Sequence, residues 1–197
     1  MIIQSVLKYL AGELNLRYDN LATPSQEDFI KIGNIARLES GTGASNADLQ
    51  KKVVLSLVNI SEEKTLKNNS HYISRGETKV KRNPTLYLNL YVLFSCADEN
   101  YDTALGMISR VIAFFQEKYV FTLDNSLAPP AFPSDYVEKL ILDIHSLSFE
   151  QMNHLWGILG GKYHPSVLYQ VRLLPVQAPD SDGGPLVREV KATENAH

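Results

Sequence analysis

The sequence predicts an α+β domain, in which a mixed, mainly antiparallel sheet has helices packed on one face. Pro84 to Ser95 places a large apolar residue at every second position, which is the period of a strand and not of a helix. Two longer segments, residues 2–18 and Tyr101 to Lys118, instead space their apolar residues three and four apart. Because the second of these helices follows the strongest strand directly, we expect it to lie across the sheet.

The first half of the chain contains one helix and two strands. The helix over residues 2–18 has an apolar stripe made of Ile3, Val6, Leu7, Leu10 and Leu14. Asp28 to Leu38 fits either a short strand or a helical turn, since Gly33-Asn34 interrupts both patterns. Lys52 to Ile60 alternates as a strand, and we expect Pro84 to Ser95 to form the centre of the sheet.

The second half adds two helices and two strands. After the helix that ends at Lys118, prolines hold Val120 to Pro133 in an extended connector. Lys139 to Leu147 alternates again, and Ser148 with Gln151 forms a capping box at the start of a short helix. Gly160-Gly161 suits the left-handed end of that helix, and Val167 to Leu174 is the last core strand.

The chain is expected to form one domain over residues 1–176, followed by a flexible C-terminal tail over residues 177–197. Ala178 to Pro185 has the composition of a linker. Beyond it, Leu186 to Val190 alternates over five residues, which is too short to fold alone. This segment could pair only with an edge strand, in its own chain or in a neighbour.

Composition excludes several classes of protein. The 197 residues carry a net charge of −3, whereas domains that bind nucleic acid with their whole surface are usually strongly basic. The single cysteine, Cys96, excludes an internal disulfide and suits a reducing cytoplasm. The N-terminus lacks the regions of a signal peptide, and no apolar run approaches the roughly 20 residues that span a bilayer. We therefore expect synthesis in the cytoplasm without direct membrane insertion.

The sequence does not present the residues of an active site. Gly160-Gly161-Lys162 lacks the spacing and the following Ser/Thr of a phosphate-binding loop. His145, His154 and His164 are not spaced as zinc ligands, and Cys96 has no activating neighbour in sequence. Adjacent acidic residues such as Glu62-Glu63 point apart and are typical of exposed loops. We expect no enzyme, no catalytic residue, no cofactor, no metal and no small-molecule substrate.

The connection from Ser61 to Asn83 is the clearest local charge signal. It is too long for a tight hairpin turn, and connections of this length are usually functional or disordered. Its part from Lys64 to Arg82 carries six cations against one acidic residue, Glu77: Lys64, Lys67, Arg75, Lys79, Lys81 and Arg82. Two interpretations stay open, a solvated loop or a surface that binds an acidic protein or nucleic acid. A near absence of aromatic residues argues against stacking of single-stranded bases.

Four segments carry a resemblance to a known family. They are Val53–Glu63 with Leu66–Asn68, Pro84–Phe94, Ser109–Gln116 and Leu155–Arg172. Taken in order, they resemble the cap, or tail-terminator, family of extracellular contractile injection systems, represented in virulence-cassette and antifeeding-prophage particles. The last segment is the most specific, because its Leu-Trp-x-x-Leu-Gly-Gly-Lys-Tyr run ends in a Ser-Val-Leu-Tyr strand. The match covers most of residues 1–175, although residues 25–50 do not align.

The resemblance implies a phage tail-terminator-like fold and a structural role. The protein would form a homo-oligomeric, hexameric ring at the end of the particle distal to the baseplate, where it binds the sheath protein and the inner tube protein. The candidate partner-binding residues are Arg75, Lys79, Lys81, Arg82, Leu186, Val187, Arg188 and Val190. A terminator of a contractile phage or tailocin is the near alternative, and a nucleic-acid-binding adaptor is a more distant one.

Overall fold

The computed structural model describes residues 1–19, 28–39, 49, 51–63, 72–75, 78–81, 85–126, 132–135 and 137–176. Its helices are α1 (Ile2–Asp19), the single turn α2 (Ala36–Glu39), α3 (Tyr101–Glu117) and α4 (Phe149–Ile158). Its strands are β1 (Ile30–Ile32), β2 (Val53–Glu62), β3 (Tyr72–Arg75), β4 (Thr78–Lys81), β5 (Leu86–Cys96), β6 (Val120–Thr122), β7 (Lys139–Ile144) and β8 (Ser166–Val176). None of the described helices is long and apolar enough to cross a membrane.

Six strands form one sheet in the order β1-β2-β5-β8-β7-β6, and β3 pairs with β4 in a separate two-stranded sheet. Only the β1–β2 pair is parallel, while the other pairs are antiparallel. The strand from Leu86 to Cys96 is central, as predicted, and it pairs along most of its length with both β2 and β8. The expected mixed, mainly antiparallel α+β fold is confirmed.

The main core lies between the sheet and two helices, α1 and α3, on the side called here the first face. The alternate residues Leu90, Val92 and Phe94 of β5 are fully buried there. Aromatic rings of α3 and β8 contact Phe94, with ring centroids 5.3 Å away at Phe115 and 5.7 Å away at Tyr169. Each large apolar side chain buried in this way stabilises the fold by about 1.5–3 kcal/mol before chain entropy is counted.

The helix α4 lies on the opposite side of the sheet, called here the second face. Its Trp156 packs in a cluster with Leu93 and Leu168, whose sequence neighbours point to the first face. This placement differs from the expectation of helices on one face only. The reason is that the core end of β5 is apolar on both sides, so its second face also needs cover. The cover is thin, because Trp156 is the only residue of α4 that is fully buried.

Local side-chain and glycine signals explain where α3 begins and where α4 begins and ends. The side chain of Asn100 accepts hydrogen bonds from the first turn of α3. Ser148 and Gln151 form the complete capping box at the start of α4, as expected. Gly160 and Gly161 adopt φ values of 117° and 82°, the left-handed region that glycine enters without the cost a side chain would add.

Three connections contain structure that the periodicity did not predict. The ambiguous stretch from Asp28 to Leu38 contains both β1 and α2. The long basic connection contains the β3–β4 hairpin, and the connector after α3 begins with β6. All of these strands have three or four residues, which is too few for a pattern of period two to stand out. The predicted tail over residues 177–197 lies outside the described residues.

Candidate interaction surfaces

One end of the three central strands is called here the arm. It comprises Asn59–Glu62 of β2, Leu86–Asn89 of β5 and Leu174–Val176 of β8. Two of its apolar residues are far less covered than the core, since Leu86 is 45% exposed and Ile60 43% exposed, whereas Leu174 is fully buried. The β3–β4 hairpin follows β2 and precedes β5 in the chain, so it belongs to this end of the sheet.

A pair of β-bulges marks the point where the arm leaves the core. On one side of β5, Leu57 is opposite Val92 but Asn59 is opposite Tyr91, so that Val58 is an extra residue. On the other side, two residues of β8 lie opposite Asn89, because Leu88 pairs with Leu174 and Leu90 with Val171. Bulges bend a strand and increase its twist. One bulge lies on each side of β5, at Val58 of β2 and opposite Asn89 in β8. We therefore expect the arm to bend and twist relative to the rest of the sheet.

The hairpin β3–β4 positions three of the predicted partner-binding residues. Arg75 is opposite Thr78, Lys79 is opposite Ser74, and Lys81 is opposite Tyr72. The register thus places Arg75 on one strand of the hairpin and Lys79 and Lys81 on the other, two residues apart. Arg82 and Leu186, Val187, Arg188 and Val190 lie outside the described residues, so their predicted role stays a prediction.

The outer edge of β1 is closed by a side chain. Phe29 and Gly33 bond through their backbone to β2, so Ile30 directs its own backbone groups away from β2. The amide side chain of Asn15 meets both of them: Oδ1 accepts from Ile30 N at 2.9 Å, and Nδ2 donates to Ile30 O at 3.1 Å. A primary amide presents the same donor and acceptor as a neighbouring strand. Asn15 therefore blocks strand addition at this edge.

The opposite edge of the sheet, β6, is closed in the same way. Nδ2 of Asn125 donates to the Val120 carbonyl, and Thr122 N donates to Asn125 Oδ1, both at 2.9 Å. Ser126 completes the closure, because its hydroxyl donates to the Thr122 carbonyl at 2.6 Å. Both ends of the six-stranded sheet thus have a side-chain amide where another strand would bind.

Within the described six-stranded sheet, two further stretches of backbone have no described strand beside them, and both run onto the arm. β1 pairs only with Val53–Leu55, so none of the described strands covers β2 beyond that point on its outer side. There, the N–H of Ile60 is bonded only to the side chain of the preceding Asn59. On the other side, the pairing of β7 with β8 ends at Ile141 opposite Arg172, which leaves the last residues of β8 without a described strand beside them.

A cavity of about 620 Å³ opens on the second face beside the end of β8. Its floor is formed by Tyr87, Ile141 and Arg172 from the three strands β5, β7 and β8. Its wall is the segment that leads into β7, with Asp135 and Glu138. A volume of this size is typical of sites that hold a ligand or a peptide segment.

His145, His164 and Cys96 make packing contacts in the structure. No group of three or more possible metal ligands occurs among the described residues. The His145 ring packs edge-on against Tyr91, and the His164 ring packs against Trp156. Burial raises the pKa of the Cys96 thiol to about 11, which keeps it protonated and unreactive at neutral pH. The sequence-based view of Cys96 as a small buried hydrophobe is confirmed.

Sequence reasoning missed Asn15 and Asn125, the residues that decide which edges are open. Only a weak signal existed for Asn15, since asparagine inside an amphipathic helix is disfavoured and often has a specific hydrogen-bonding role. Asn125 lies in a turn, where asparagine is common and carries no such information.

Comparison with known proteins places this geometry in a family. A family model described as the Pvc16 N-terminal domain matches residues 5–189. No curated protein sequence matches the chain. The sheath/tube terminator of the extracellular contractile injection system PVC, in its extended state, superposes with a TM-score of 0.56 and 16% identity, covering 100% of this chain and 64% of that chain.

The tube-terminating cap of the anti-feeding prophage AFP superposes with a TM-score of 0.51 and 14% identity, covering 96% of this chain and 60% of that chain. The chain thus spans less than two thirds of the length of either solved relative. These similarities confirm the phage tail-terminator-like fold and the resemblance to caps of contractile injection systems. Since the family model matches nearly the whole sequence, the chain belongs to the family of the Pvc16 N-terminal domain.

Proposed function

We propose that this chain is a structural cap protein of a contractile injection system. It would assemble as a hexameric ring at the end distal to the baseplate and end the growth of the inner tube and the sheath. Family membership supports this proposal, as does the fold shared with two proteins described as a sheath/tube terminator and a tube-terminating cap. A terminator of a phage tail or tailocin is the alternative with the same fold.

The distribution of open edges is the observation that carries the proposal. A terminator needs one surface that joins the growing end and another that refuses further subunits. In this chain, Asn15 and Asn125 close both outer edges of the six-stranded sheet, and the described backbone of that sheet that stays open runs along β2 and the end of β8 onto the arm. A ring of identical arms engages as a unit, so weak individual contacts add to firm capping. This role requires no catalysis.

The arm is the part that we expect to contact the partners. The open edge of β2, around Ile60, would accept an extended segment of sheath or tube by strand addition. The cations Arg75, Lys79, Lys81 and Arg82 would meet an acidic surface. In this proposal, residues 1–176 form the cap domain and residues 177–197 form the tail, and the assembled protein is a component of the particle.

Deletion of the gene, followed by electron microscopy of the particles, tests the cap function. We expect particles of irregular length that lack the terminal ring, and a plasmid copy of the gene should restore both features. Particles of normal length with an intact ring would refute the cap role.

Two variants at one position then test strand addition separately. Ile60→Pro removes an N–H that none of the described strands uses, whereas Ile60→Thr keeps that donor and suits a strand. We expect Ile60→Thr to complement the deletion and Ile60→Pro to fold but leave the particles uncapped. If both variants fully complement the deletion, strand addition at Ile60 is excluded. That result would leave the cap role itself standing.

The basic hairpin also favours a second candidate, an adaptor that binds nucleic acid. Its test is the binding of duplex DNA over a range of salt concentrations. Phosphate contacts by several cations would weaken binding steeply as salt rises. Absence of binding at low salt would eliminate this candidate.

A further inference from the structure

We propose that the tail segment Leu186–Val190 binds, in the same chain, in the cavity beside the end of β8. This inference goes beyond the cap role and does not depend on it. It concerns what occupies a site on the domain, and it follows from where the chain leaves the sheet.

The tail starts at the rim of the cavity. β8 ends at Val176, and the preceding Pro175 lines the cavity. Val176 pairs with Leu86, whose neighbour Thr85 is another lining residue. Any segment that follows Val176 therefore begins its path next to this site.

The end of β8 also supplies a backbone partner. Its pairing with β7 stops at Arg172, so the remaining residues have an edge that no described strand covers. Leu186–Val190 alternates over five residues, which is the usual length of a strand. Beside β8 the segment can donate to the carbonyl of Pro175, but Pro175 has no N–H to donate in return, so the contact is held mainly by side chains that enter the cavity.

The side chains of the segment match the composition of the cavity. The lining combines apolar surface from Tyr87, Val137 and Ile141 with charges of both signs, such as Glu138 and Lys139. The segment likewise combines three apolar residues, Leu186, Val187 and Val190, with the adjacent pair Arg188 and Glu189. Each charge can therefore meet an opposite one at the rim while the apolar residues enter the cavity.

The connecting linker keeps the segment near the cavity. The nine residues of the linker, 177–185, reach at most about 30 Å when extended and about 17 Å on average when flexible. A segment held this close experiences an effective concentration in the millimolar range. Binding within the chain is therefore favoured over binding to another copy in dilute solution.

Paired cysteines in the full chain test the location. One variant combines Lys139→Cys, which lines the cavity, with Val187→Cys in the tail. The matched control combines Ile60→Cys, exposed on the other open edge, with the same Val187→Cys. Cys96 is buried and remains out of reach of oxidants. Circular dichroism verifies the fold, and the rate of disulfide formation is followed by mass and by non-reducing electrophoresis.

We expect the Lys139→Cys pair to close at least ten times faster than the Ile60→Cys pair, and as a monomer. Adding Leu186→Ser and Val190→Ser should abolish that advantage, because the apolar contacts are lost. Equal rates for the two pairs, a faster control, cross-linked dimers, or insensitivity to the serine substitutions would each overturn the proposal.

Discussion

The two halves of β5 have the same alternating sequence but different surroundings. From Leu90 to Phe94 the alternate residues are fully buried between sheet and helices, whereas Leu86 is 45% exposed on the arm. The bulges opposite Asn89 and Tyr91 separate the halves. An alternating pattern of apolar residues thus identifies a strand but does not show how much of that strand the helices cover. The buried half stabilises the domain, and the arm is available for contacts with other chains.

Truncation of one apolar residue in each half gives the sharpest test of this difference. Phe94→Ala should lower the free energy of unfolding by about 3–5 kcal/mol, because it leaves a cavity among aromatic rings. Leu86→Ala should cost less than about 1 kcal/mol, since much of that side chain is already in water. Urea denaturation measures both. Similar losses at the two positions would show that the arm is part of the core.

Two ion pairs, one buried and one exposed, extend the comparison of covered and open regions to charged groups. Glu13 is fully buried, and its Oε2 lies 2.8 Å from Lys118 Nζ, while the Arg17–Glu117 pair at 3.0 Å is exposed. Lys118→Met should destabilise the fold by about 3 kcal/mol or more, because it removes the cation paired with a buried carboxylate. Arg17→Met should change stability by less than about 1 kcal/mol. Thermal and urea unfolding of both variants provide the check, and equal effects would contradict it.

Thiol reactivity compares the two ends of β5 directly. Burial and the nearby Asp98 raise the pKa of Cys96 to about 11, so stability contributed by its neutral thiol is lost only as pH rises from about 9 towards 11. In the Leu86→Cys variant, the new thiol on the arm should react with iodoacetamide at pH 8 more than about a hundred times faster than Cys96. Peptide mass spectrometry identifies the modified site. Comparable rates would mean that the core end opens readily.

The smallest effect on stability is expected on the hairpin. Charge reversal at Lys79, Lys81 and Arg82 should change the free energy of unfolding by less than about 0.5 kcal/mol, as is usual for surface substitutions. The same variant should lose its place on the particle if the hairpin meets an acidic partner. Electron microscopy gives the fraction of particles with a terminal ring. If the variant leaves a normal fraction of particles with a terminal ring, the cations do not bind a partner and belong to a solvated surface.

The sequence was most informative where an element is long. β2, β5, β8, α1 and α3 were all predicted, because ten or more residues of regular spacing leave only one regular structure that fits. The capping box at Ser148 and the left-handed glycines after α4 were predicted from local chemistry alone.

Short elements and edge contacts were beyond prediction for a different reason. β1 and β6 have three residues each, and their stability comes from the neighbouring strands and not from their own pattern. The face that α4 covers was not decided by its own stripe, because both sides of β5 near Leu93 are apolar. The contacts of Asn15 with Ile30 join segments that only the folded chain brings together.

The asparagine amides that close β1 and β6 limit strand pairing as a chain stopper limits the growth of a polymer. A monomer with reactive groups at both ends lengthens a chain, and one with reactive groups at a single end is a chain stopper. Asn15 and Asn125 remove the reactive character of both flanks of the sheet and leave it on the arm. In strand pairing, the six-stranded sheet can therefore be joined along the arm and not at its two flanks.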